Sequence, residues 1–255
     1  MGVTGLAVVI GGGLGLYRLE QYALGHARFQ QPPLIQIVGA APYVEEDILT
    51  DLQAVSQASW SESNLCRTIS RIVEANPWVR QVDSVQKFAD GRVVVHCEYR
   101  RPTVLVQYNG LFYLVSHDQV RLPGTYAYDA GLMLIQGVAS APPPAGQKWN
   151  APDLAAGMAV ARRLASESFA GQITGVQVDN YGGRVDREEA HIRLATDRAG
   201  HTIIWGSAPG EELEENTIVQ KIAILRENFR KFGRVDADCH MIDISTHPHQ
   251  FTTPA

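Results

Sequence analysis

Apolar residues in this chain recur with two periods, and each switch between them marks an element. Leu34-Ile35-Gln36-Ile37-Val38 ends at Gly39 and reads as a strand. Over residues 42–55, Val44, Ile48, Leu52 and Val55 fall roughly one turn apart and predict a helix. Glu45, Glu46 and Asp47 crowd its first turn, where the helix dipole favours negative charge. Residues 57–63 form a polar loop, and Leu65, Ile69, Ile72 and Val73 then share one face of a second helix. That helix stops near Asn76, because Pro77 disfavours α geometry in the residue before it. A strand over 78–88, an Asp90-Gly91 turn and a strand with Val93, Val95, Cys97 and Tyr99 on one face complete the unit. The order is β-α-α-β-β.

A second, β-rich pattern opens at Thr103. Val104, Val106 and Tyr108 alternate up to Asn109-Gly110, and Phe112, Leu114 and Ser116 alternate after it, the pattern of a tight hairpin. Further strands are expected at residues 132–135, around Ile173, Val176 and Val178, at 192–196 and at 202–206. A helix over 150–166 places Leu154, Met158, Ala161 and Leu164 on its inner face. The longest helix is expected over 211–231, acidic at its start and basic at its end, with Ile218, Ile222, Leu225 and Phe229 as its buried stripe and Gly233 as its cap. Residues 238–245 (DCHMIDIS) read as the last strand and 246–255 as a flexible tail. The fold class is α+β.

The first residues change this picture. Residues 3–17 carry no charge, but they fall short of the roughly 20 needed for a spanning helix. A membrane anchor, a signal peptide and a dinucleotide-binding turn compete for them. The signal peptide lacks a basic start and an A-x-A site. The dinucleotide turn needs glycine where Leu16 or Arg18 stands. The reading carried forward is an anchor with its polar exit over 1–28 and a linker over 29–33.

A net charge of -5, with no Lys/Arg run longer than a pair, argues against nucleic-acid binding. Cys66, Cys97 and Cys239 form no CxxC pair and read as small buried hydrophobes. His247-x-His249 stands in the tail without a third ligand, and Asp236, Asp238, Asp243 and His240 do not share one strand face. No GxSxG motif accompanies the serines. Neither a catalytic set nor a cofactor is expected.

Several short motifs stand in a telling order. They are Asn76-Pro77-Trp78-Val79 followed by Val82 and Gly91, Glu98-Tyr99-Arg100-Arg101-Pro102, Trp205-Gly206, Lys221 with Leu225, and Ile242-Asp243-Ile244. Over residues 34–245 the chain resembles the FtsQ/DivIB family of bacterial division proteins. It departs from the family at His117 and Gln119, where an acid and a glycine are usual, and at Ser245, where arginine is usual. The resemblance implies an N-terminal membrane segment, a POTRA domain over 34–102 and a β-domain with two long helices over 103–245. It implies a non-enzymatic divisome scaffold in the cytoplasmic membrane, with its folded part on the extracytoplasmic side, binding FtsB/FtsL-type proteins by strand addition. The expected edge is His240, Met241, Ile242, Asp243, Ile244 and Ser245, with Ile242 and Ile244 as side-chain contacts and the helix over 217–230 as support. An envelope assembly or secretion factor with a POTRA domain, and an enzyme without a visible motif, are the alternatives.

Overall fold

The structure is a computed structural model describing residues 32–55, 57–246 and 250–252. The expected anchor and His247-x-His249 lie outside the described residues. Among the described residues no helix is long and apolar enough to cross a membrane. The chain is α+β and divides into two units between Arg100 and Arg101, two residues before the expected boundary.

The first unit runs β1 (Leu34–Val38), α1 (Pro42–Asp51), α2 (Leu65–Ala75), β2 (Val79–Lys87) and β3 (Arg92–Tyr99). A 3-10 turn, Leu52–Ala54, extends α1. β3 is central, parallel to β1 and antiparallel to β2, which gives the order β1-β3-β2. Ile48, Leu52, Ile69, Val73, Val93 and Val95 fill its core. α2 ends at Ala75, and Asn76 takes extended geometry ahead of Pro77, as expected. Asn76 is buried, and its amide donates to Asp47 Oδ2 (2.9 Å) and Asp51 Oδ2 (2.7 Å) while Oδ1 accepts from Trp78 N (2.9 Å). One side chain thus ties the turn to α1 with its polar atoms satisfied. Arg100 Nη1 donates to the Pro77 carbonyl (3.1 Å) and also to that of Val79, so it fastens the exit of β3 to the start of β2. Glu98 pairs instead with Arg80 (2.8 Å).

The second unit holds an eight-stranded sheet ordered β11-β10-β9-β8-β7-β6-β4-β5. Its strands are β4 (Pro102–Tyr108), β5 (Leu111–Ser116), β6 (Met133–Gln136), β7 (Ile173–Gln177), β8 (Ile192–Thr196), β9 (Thr202–Gly206), β10 (Met241–Asp243) and β11 (Gln250–Thr252). Asn109 and Gly110 both take positive φ (49° and 78°), as the tight β4–β5 hairpin requires. α3 (Pro152–Leu164) connects the parallel strands β6 and β7, and α4 (Ile218–Phe232) connects the parallel strands β9 and β10. One row of residues in register crosses the sheet: Val106, Ile135, Val176, Leu194, Ile203 and Ile242. All six are fully buried, packed with Leu154, Met158 and Leu164 of α3 and Ile222 and Leu225 of α4. Each such side chain contributes roughly 1.5–3 kcal/mol. The adjacent row, on the opposite face, is Gln136, Gln177, Arg193, Ile204 and Asp243, all partly exposed.

Two expected elements are corrected. The last long helix begins at Ile218 and not at residue 211. Glu214 adopts positive φ (57°), which breaks helical geometry. Thr217 and Gln220 form a reciprocal capping box that sets the true start. The last long strand shrinks to Met241–Asp243, because Ala237 (φ 50°) and Asp238 (φ 64°) turn the chain just before it. Within the expected tail, Gln250–Thr252 pairs as a strand.

Candidate functional site

The residues that carried the resemblance in the second unit come together at one end of the large sheet. Lys221, on the buried face of α4, is fully buried with its Nζ 5.4 Å from the centre of the Trp205 ring. Its charge is met by Glu215 Oε2 at 2.9 Å. The same carboxylate accepts from Ser207 N and Ser207 Oγ, both at 2.9 Å. Burial raises the Glu215 pKa, but the donors from Ser207 and Lys221 outweigh it and hold the carboxyl below its ordinary value. Glu215 is therefore kept ionised as a structural partner, unlike a general acid tuned toward neutrality.

Asn216 extends this network onto the residues just past β10. Its backbone N–H donates to the Ser245 carbonyl (2.6 Å), and its side-chain amide donates to the carbonyls of Ile244 (3.0 Å) and Thr246 (2.6 Å). Gly206 takes φ 88°, and a Cβ there would strike the Glu215 carboxylate and come within 2.7 Å of Ser245 Cβ. Glycine at this position is thus required by conformation and by space.

The other end of β10 is fixed separately. Asp236 is fully buried and accepts from Arg234 Nη2 (2.8 Å) and Asp238 N (3.1 Å), with His201 Nδ1 at 3.0 Å. Burial raises its pKa, yet these partners, Arg234 first, bring it below the ordinary value. Asp238 pairs with Arg198, and the His240 ring lies 4.7 Å from that of His201. The acids near the last strand are thus held by nearby cations and N–H groups. Among the described residues no group of three His, Cys, Asp or Glu is placed to hold a metal ion. All three cysteines are free, and they are half-buried where full burial was expected.

The six expected edge residues divide by face. His240 and Met241 are exposed, and Asp243 is half-buried with Oδ1 accepting from Ser245 N (2.8 Å) and Ser245 Oγ (2.6 Å). Ser245 is buried. Ile242 and Ile244 are fully buried in the core, which corrects their assignment as side-chain contacts for a partner. Strand alternation puts Met241 and Asp243 on the face opposite them. Nor is β10 an unpaired edge: β9 lies on one side in parallel pairing and β11 on the other in antiparallel pairing. The open face here carries a groove of about 760 Å³ lined by Gln177, Arg193, Ile204, Glu215, Met241 and Asp243, among others.

Sequence reasoning passed over Glu215, Asn216 and Thr217. The T-x-x-Q pattern of Thr217 and Gln220 was a usable helix-start signal, and a lysine on the buried stripe signals a buried acid. Nothing in the pattern marks Asn216. Compared with known proteins, the chain matches no family model and no curated protein.

Proposed function

We propose that this chain is a non-enzymatic divisome scaffold of the FtsQ/DivIB type. Its N-terminal apolar segment anchors it in the cytoplasmic membrane, and its POTRA domain and β-domain lie on the extracytoplasmic side. It links FtsB/FtsL-like membrane proteins to septal wall synthesis. The observation that carries the reading is the end of the eight-stranded sheet. There the chain just past the three-residue β10 is held by Asn216, next to the Lys221–Glu215 pair, with the side chains of Met241 and Asp243 on its open face. Motifs separated in sequence, Trp205-Gly206, Lys221 and Ile242-Asp243-Ile244, meet at this end. The first unit adds support through its β-α-α-β-β order with β1 and β3 parallel.

The physical route is strand addition: backbone groups supply the affinity, and alternate side chains supply the choice of partner. Photo-crosslinking in dividing cells tests it. A crosslinker at Met241 or Asp243 is expected to capture small single-pass division proteins, while one at Gln136, four strands away in the same sheet, captures none. Equal capture from both places, or none from either, sinks the proposal.

A further inference from the structure

We infer that β11 is an exchangeable strand. The chain's own tail occupies the seat on β10 that a partner strand takes, and the partner enters by replacing it. This rests on the reading that a partner strand joins this end of the sheet.

Three features carry the inference. First, β10 keeps its place by contacts that do not involve β11. Ile242 and Ile244 are fully buried, Ile244 N donates to the Ile204 carbonyl (3.1 Å), and Thr202 N donates to the His240 carbonyl (2.8 Å). Asn216 holds the carbonyls beyond Asp243. Second, these bonds direct the backbone groups of His240, Ile242 and Ile244 toward β9. Alternation turns those of Met241 and Asp243 the other way, opposite Thr252 and Gln250. The pairing of β11 therefore rests on two residues of β10. Third, β11 has three residues and stands last in the sheet, whereas β5 at the far edge has six. An incoming strand need satisfy only the same two residues, because Ser245 N and its carbonyl are already engaged by Asp243 and Asn216. The occupant is an extended, antiparallel segment of a protein partner. It offers N–H groups opposite Met241 and Asp243, hence no proline there, and an apolar residue in register with Ile242, where the tail has Phe251.

Hydrogen exchange on the full chain tests the exchange directly. The amides of Met241 and Asp243 are expected to exchange at least about tenfold faster than those of Ile242 and Ile244, because β11 opens locally while β10 stays in the sheet. If all four exchange at one rate, β11 is an integral strand and the inference is wrong.

A Met241→Cys/Thr252→Cys variant in a Cys239→Ala background tests the link to partner binding. Opposed hydrogen-bonded pairs have Cα atoms about 5.5 Å apart, within the disulfide range of about 4.4–6.8 Å. With a crosslinker at Asp243, the oxidised form is expected to lose the division-protein crosslink and the reduced form to regain it. An undiminished crosslink in the oxidised form means that the partner adds outside β11, which overturns exchange and leaves the scaffold reading intact. If the unlocked chain captures no division protein, the scaffold reading fails, and hydrogen exchange alone decides whether β11 is exchangeable.

Discussion

The two ends of the eight-stranded sheet solve one problem differently. A sheet edge presents unpaired N–H and C=O groups and invites another strand. At β5 the chain closes its own edge in two layers. Residues around Val120 to Leu122 bridge to Val115 and donate back to β5 through Leu122 N (2.9 Å to the Leu114 carbonyl). Lys148 then bridges to Val120, and Gly146 N donates to the Arg121 carbonyl (2.8 Å). Leu122 is fully buried, and Arg121 Nη1 reaches the Pro143 carbonyl (2.8 Å). At the other end, three residues of β11 meet three of β10, and the strong contacts lie beneath the edge. The first end is sealed by side chains seated in the fold. The second is held from below by Asn216 and the buried Ile242 and Ile244, and three residues of β11 pair with it from outside.

The largest break in this contrast is expected at Lys221. Lys221→Met removes a fully buried cation from its half-buried partner Glu215 and is expected to cost about 3–5 kcal/mol, read as a lower denaturant midpoint. Changing Glu215 to Gln in the same chain should return part of that loss, because the uncompensated charge goes with it. Full additivity of the two losses would mean that the pair is not coupled. At the sealed end, Leu122→Ala is expected to cost about 2–5 kcal/mol through the cavity it leaves. Loosening that cover should also expose β5, so a dimer or larger species should grow with concentration in size-exclusion chromatography. If the variant stays monomeric at every concentration, Leu122 is only core and does not guard the edge.

Asn216→Ala sharpens the comparison at the lighter end. It strands the carbonyls of Ile244 and Thr246 and is expected to cost about 1–3 kcal/mol. The Ile244 amide should then exchange faster while those of β5 are unchanged. A uniform change across the sheet would show that Asn216 supports the whole unit. Thr217→Ala removes the cap of α4 and is expected to cost about 1 kcal/mol.

The elements were legible where one periodicity ran unbroken, as in α3 and the β4–β5 hairpin. They were misread where a charged run imitated a helix start. Glu211, Glu212, Glu214 and Glu215 matched the dipole argument for a first turn, but Glu214 takes positive φ, and Glu215 is needed as the counterion of Lys221. Alternation correctly separates Ile242 and Ile244 from Met241 and Asp243. Which set faces a partner depends on which face the helices cover, and that is a property of the whole sheet. Asn216 was invisible because its partners are backbone carbonyls about 30 residues later, which no side-chain pattern encodes.

The smallest expected effect is a pH dependence confined to the acid side, and it compares a half-buried acid with a more exposed one. Glu215 has its carboxyl held below the ordinary 4.5, so the stability it contributes is fully present above about pH 4.5 and is lost as pH falls through its folded-state value. Glu227 is lowered further, to about 2, by its hydrogen bonds to Arg230 and Lys231, but it sits on the exposed face of α4, where solvent screens the pairs. Its larger shift should therefore matter less. Glu215→Gln is expected to flatten the fall of the denaturation midpoint between pH 5 and pH 3, whereas Glu227→Gln leaves that profile close to the parent's. If the exposed substitution flattens the profile and the half-buried one does not, the Lys221–Glu215 pair is not the source of the acid-side loss.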